Sequence, residues 1–132
     1  MKDVLKEKFV YKDKGGEEQV WWDKKLSLGR NMMVGHLDEE AAVWLKDKVI
    51  QIGKTHGGKV NWIVDLSRLV SSDRSARHVL KEMNQLPSTG KIAFVGGSAF
   101  ARAVTNFITT AAGKTDIHHF KSEDEAINWI NE

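Results

Sequence analysis

The chain has 132 residues, which suits one domain; 41% hydrophobic and 29% charged residues mark it as globular, with enough apolar side chain for a core. A net charge of only +2, with lysines and carboxylates interspersed, excludes the one-sided basic surface that nucleic acid requires. Cysteine is absent, which removes disulfides, thiolate nucleophiles and cysteine-based zinc sites together, and no stretch approaches the ~18 apolar residues of a membrane span.

The opening MKDVLKEKFVYKDK mixes both charge signs and has no apolar middle like that of a signal peptide, so a cytoplasmic protein is expected. EKFVYKD and EEQVWWD flank Lys14-Gly15-Gly16 and predict an antiparallel hairpin, within a first part covering about residues 4–35. Extended segments are predicted around Leu26–Leu28 and Met32–Val34. HLDEEAAVWLKDKVIQIGKTHGG predicts a long helix with Asp38 as its N-cap and Gly57-Gly58 past its end. Ala41, Trp44, Leu45, Val49 and Ile52 would form its buried stripe.

Lys59 to Leu66 predicts a buried strand, followed by a serine-rich connection and a helix over Asp73–Met83. The inner face of that helix would be Ala76, Val79, Leu80 and Met83. Gln85–Gly90, with the single proline Pro87, predicts a turn. KIAFVGG is the next strand. SAFARAVTNFITTAAG is the next helix, capped by Ser98, stopped near Gly113, and apolar along Phe100, Ala103, Val104, Phe107 and Ile108. DIHHF closes the strands, and a Ser122/Glu125 capping box opens the last helix. Strand and helix alternate over about 36–132, and strands separated by helices cannot all be hairpin-paired. The predicted fold class is therefore α/β: a mixed β-sheet in a single domain over 1–132, with an N-terminal antiparallel hairpin and about four helices.

WIVDLSRLVSSDRSARHVL, KIAFVGGSAFARAVTNF and HHFKSEDEAINWI together resemble the STAS superfamily, in its branch similar to the stage II sporulation anti-sigma-factor antagonist (SpoIIAA-like). The resemblance covers about residues 38–132. Its most telling features are the strand ending in Asp65-Leu66-Ser67 and the closing pattern of Phe120, Ala126 and Trp129. It implies a STAS-like mixed sheet flanked by helices and a non-enzymatic regulatory role. In the best-understood members a kinase-like partner phosphorylates a serine at a helix start, which controls binding to an anti-sigma factor. Their Asp-Ser-Ser/Ala-Gly pattern falls here on Asp73-Arg74-Ser75-Ala76. The aspartate and second serine match, but Arg74 holds the phospho-acceptor position and Ala76 the glycine position. Arginine has no acceptor hydroxyl and carries the opposite charge, so the switch implied by the family cannot operate there. Ser71, Ser72 and Ser75 remain as hydroxyls that could be modified instead, or as ordinary loop and cap residues.

Other constellations carry two readings each. Arg74 and Arg77, near Arg68 and His78, would either grip an anion at the helix start or leave Arg77 paired to Asp73 at i,i+4 with the rest solvated. Gly96-Gly97-Ser98 is a strand-to-helix turn that could hold an anion, yet it lacks the spacing of dinucleotide or phosphate loops. Arg102 and Asn106 would line the same mouth or form a wet face. His118-His119 point to opposite sides of a strand, and the other histidines are scattered, so no metal site is expected. Asp65, at a strand's carboxyl end, is expected to order the loop containing Ser67. One of Trp21 and Trp22 should face outward and could anchor a partner or a second copy in a homodimer, unless a helix covers both. Trp44, Trp62 and Trp129 read as core.

The resulting expectation is a non-catalytic regulatory or protein-interaction module of STAS type in a bacterial cytoplasm. It would present Ser71, Ser72, Asp73, Arg74, Ser75, Arg77, Gly96, Gly97, Ser98, Arg102 and Asn106 to a protein partner or a small anionic ligand, with no cofactor and no transmembrane segment. The alternative is a carrier of a small apolar or lipid-like molecule, as in CRAL-TRIO domains, because periodicity cannot separate a packed core from a hollow one. An enzyme is the least favoured class: no nucleophile–base pair, carboxylate pair or metal cluster can be assembled from the motifs.

Overall fold

In the computed structural model, which describes residues 8–112 and 116–132, Gly15 and Gly16 close the first hairpin. A side chain at Gly16 would place its Cβ 2.4 Å from the Val34 carbonyl oxygen, so only glycine lets the turn pass there. The turn is fixed by Asp13, whose Oδ1 accepts the N–H groups of Gly15 at 2.9 Å and Gly16 at 2.8 Å. These bonds, that of Gly16 foremost, hold its carboxyl below the ordinary aspartate value.

Six strands follow one another across a single sheet: β1 (Phe9–Lys12), β2 (Gly16–Asp23), β3 (Leu28–Leu37), β4 (Val60–Ser72), β5 (Thr89–Val95) and β6 (Ile117–Phe120). The β1/β2 and β2/β3 pairs are antiparallel; β3/β4, β4/β5 and β5/β6 are parallel. Among the described residues the helices are α1 (Glu39–His56), α2 (Arg74–Asn84), α3 (Ala99–Ala112) and α4 (Glu123–Ile130). This is the mixed α/β sheet with four helices that the sequence predicts. Asp38 caps α1 by accepting the Ala41 N–H at 2.8 Å, and Gly57 ends it at φ 64°. Ser122 caps α4 through the Glu125 N–H at 3.3 Å. The predicted helix stop near Gly113 lies outside the described residues.

Helices α1, α2 and α3 cover one face of the sheet. Val20, Met33, Trp62, Val64, Ile92 and Phe94 meet Leu45, Val49, Leu80, Met83, Val104 and Ile108 there. On the other face α4 sets Ala126 and Ile130 against Leu28, Ile63 and Ala93. The stripes depart from expectation in α3: Ala103 is exposed and Phe107 is 37% exposed, because Ala101, Val104 and Ile108 form the buried row instead. Trp22 stacks on His56 at 3.6 Å between ring centres on the helix side, and Trp21 lies on the opposite face, as strand alternation requires. Trp62 is fully buried, whereas Trp44 and Trp129 pack at the edges of the two cores.

Among the described residues the core interior holds one ionisable group. Glu18 is 2% exposed, and burial pushes its carboxyl up to about 8 despite the amide of Asn31, which donates at 3.3 Å. The space bounded by Asn31, Val49, Trp62, Val64, Met83, Asn84 and Thr89 measures about 10 Å3, room for a single water at most.

β4 departs most from the prediction. The expected strand ends at Leu66, but the observed one continues to Ser72. Beyond Asp65 it leaves β5 and stays paired with β3 alone, inserting an extra residue at two places in that ladder. Leu69, buried within this extension, anchors it.

Candidate functional site

The extension of β4 decides which side chains meet. Parallel pairing with β3 puts His36 opposite Ser71 and Leu37 opposite Ser72. The His36 ring then bridges two elements: its Nδ1 lies 2.7 Å from Ser71 Oγ and its Nε2 lies 3.0 Å from Asp73 Oδ1. Asp73 sits at the N-cap of α2 in an extended conformation, and its backbone N–H donates to the Leu37 carbonyl at 2.9 Å. Its carboxylate caps none of the helix N–H groups.

The predicted Asp73–Arg77 ion pair therefore does not form, because the carboxylate turns to His36 instead. Arg77 donates to the Ser72 carbonyl oxygen at 2.9 Å and to Ser72 Oγ at 3.1 Å. That contact offsets the ~0.3–1 kcal/mol by which a helix dipole disfavours a cation in its first turn. Arg74 is the first residue of α2, and both it and Ser75 are exposed.

The Gly96-Gly97-Ser98 turn lies against the other side of β4. Gly96 and Gly97 adopt φ of 72° and 97°. A Cβ on Gly97 would come within 2.5 Å of the Ala101 Cβ and 3.2 Å of the Leu66 carbonyl oxygen, so glycine lets the turn pass over the strand. Strand β6 holds the turn in place: the Gly96 N–H donates to the Phe120 carbonyl at 3.1 Å, and His119 Nε2 lies 2.7 Å from the Gly96 carbonyl oxygen. Ser98 Oγ accepts the Ala101 N–H at a long 3.4 Å.

Between α2 and α3 runs an open groove of about 230 Å3 walled by Arg77, Phe100, Ala103, Val104 and Phe107. Of the residues expected to form the docking surface, Arg77 is the one among the groove's walls. Arg102 and Asn106 are exposed on α3 but are not among its walls, since they project from a different side of the helix. Asp65 Oδ1 accepts the Ser67 N–H at 2.8 Å, as the sequence suggests, but Ser67 lies within the extended β4 rather than in a loop.

Sequence reasoning missed His36. No motif ties it to Ser71 or Asp73, and only the bulged register of β3 on β4 reveals the chain of three side chains. Among the described residues no three metal-ligating side chains converge, and no helix is long and apolar enough to cross a membrane.

Comparison with family models matches residues 32–131 to one described as SpoIIAA-like. Solved structures share the fold at low identity. The unphosphorylated anti-sigma factor antagonist SpoIIAA is 20% identical, with a TM-score of 0.62 over 86% of this chain and 97% of that one. An anti-sigma factor antagonist from Mycobacterium paratuberculosis is 12% identical, with a TM-score of 0.60 over 95% and 93%. A protein with a SpoIIAA-like fold from Shewanella loihica PV-4 is 10% identical, with a TM-score of 0.61 over 92% and 90%. Comparison with curated proteins finds no sequence match.

Proposed function

Because the chain belongs to the SpoIIAA-like family, whose fold is shared by anti-sigma-factor antagonists, we propose that it is a non-catalytic regulatory module that docks a protein partner. The docking surface comprises Ser71, Ser72, Asp73, Arg74, Ser75 and Arg77 with the Gly96-Gly97-Ser98 turn, and Arg102 and Asn106 stand at its margin.

One observation carries this reading: Arg74 is exposed at the first position of α2, beside an Asp73 whose carboxylate is engaged by His36 rather than by the helix. Uncapped N–H groups and a guanidinium at one place both favour an anionic surface, protein or small ligand. A serine at that position would be neutral until phosphorylated and would then carry about −2. Arginine keeps the sign positive under all conditions, so binding does not depend on a kinase acting there. The alternative of an internal carrier draws no support from the core, where the space between α1, α2 and the sheet is about 10 Å3.

The test is affinity capture from native lysate with the wild-type chain, Arg74→Ser and Arg74→Glu as baits. Partners retained by the wild type are expected to fall by about tenfold or more with Arg74→Glu, and less with Arg74→Ser. Equal retention by all three would remove the basis of this reading.

A further inference from the structure

A second cleft, of about 170 Å3, opens on the face of the sheet opposite the groove, beside the start of α4. Trp21 forms one wall, Ile63 and Val95 give an apolar floor, and Arg30, Asp65 and Glu123 supply charge. The cleft lies where β4 and β5 part, at Asp65 and Val95, the carboxyl ends at which open α/β sheets commonly receive small ligands.

We propose that this cleft binds a small molecule with a flat aromatic body and a protonated amine or amidine. Charge decides the class. Arg30 donates to Asp23 at 2.9 Å and to Glu123, so the one cation within the walls is already matched by two carboxylates. Asp65 adds a third carboxylate. Its Oδ1 takes the Ser67 N–H, and its second oxygen has no hydrogen-bond partner among the described residues. The other nearby cation, Lys8, has its Nζ 4.7 Å from the centre of the Trp21 ring, so the indole already receives a cation. Two cations face three carboxylates, and the unused valence is that of an acceptor. An aromatic donor would stack on Trp21 and place its N–H groups on Asp65. Arg30 and Glu123 hold each other in position along the rim.

The probes are benzamidine, neutral benzamide and anionic benzoate, titrated into the isotope-labelled protein while the indole N–H resonance of Trp21 is followed. A ligand of this size in such a cleft binds in the millimolar range. Benzamidine is expected to shift the Trp21 resonance saturably, benzamide more weakly, and benzoate not at all. Asp65→Asn keeps the acceptor for Ser67 and is expected to weaken benzamidine about tenfold or more, the worth of one charge-assisted bond. Absence of a saturable shift with benzamidine in the wild type overturns the proposal, as does equal binding of benzoate or an unchanged affinity in Asp65→Asn. The wild-type titration needs no variant to fold.

Discussion

The carboxylate of Asp73 bonds His36 Nε2 at 3.0 Å and leaves the N–H groups of its own helix uncapped. Two uses compete for one side chain. Replacing His36 by alanine severs the bonds to Ser71 and Asp73, but it frees Asp73 to cap α2, an arrangement worth about 1 kcal/mol. Urea unfolding of His36→Ala is expected to show a net loss of about 1 kcal/mol, less than two hydrogen bonds would suggest. A second substitution, Asp73→Ala, is then expected to remove the recovered cap and cost about 1 kcal/mol more.

Glu18 makes stability depend on pH. Its folded value of about 8 lies above the ordinary 4.5 because burial penalises the charged form. Between these values the native chain holds a proton that the unfolded chain releases. The neutral carboxyl is therefore fully tolerated below about pH 4.5, and stability falls as pH rises toward 8, by roughly 3–5 kcal/mol from this group. Glu18→Gln is expected to remove that slope in unfolding curves collected from pH 5 to 9, and to be the more stable protein at the alkaline end.

Gly97 and Gly58 separate two costs of replacing glycine. Both have positive φ, 97° and 65°, but only Gly97 would also drive a Cβ into Ala101 and the Leu66 carbonyl. Gly58→Ala meets nothing within 4 Å. Thermal unfolding should show a loss of about 1 kcal/mol for Gly58→Ala and more than about 2 kcal/mol for Gly97→Ala.

Trp62 is 3% exposed, and its indole N–H has no hydrogen-bond partner among the described residues. Trp62→Phe discards an unsatisfied donor along with part of the ring, whereas Trp62→Ala discards the packing too. The phenylalanine variant is expected to cost less than about 2 kcal/mol and the alanine variant about 3–5 kcal/mol, both read from denaturant midpoints.

The periodic elements were legible in the sequence. Asp38 and Gly57 bracket α1 because capping chemistry is local, and the parallel part of the sheet follows from strands that alternate with helices. Three things were not legible. Serines in Leu66–Ser72 resemble a loop, yet Leu69 is buried and the β3 ladder keeps the segment extended, a tertiary effect that outweighs local propensity. The His36–Ser71–Asp73 chain depends on two bulges in a parallel register, for which residue types give no signal. The contact that Arg77 makes with Ser72 was hidden for the same reason, since the motif offered Asp73 as the obvious partner.

Each strand lies beside the one made just before it, so none has to be inserted between two that are already joined. The sheet can therefore lengthen outward in the order in which the ribosome delivers the chain. Because the N–H and the carbonyl of Gly96 are tied to Phe120 and His119, that corner is fixed only once β6 has joined β5. Before β6 pairs with β5 the Gly96-Gly97 turn has neither of these bonds, so the passage of the chain over β4 is fastened by a strand distant in sequence.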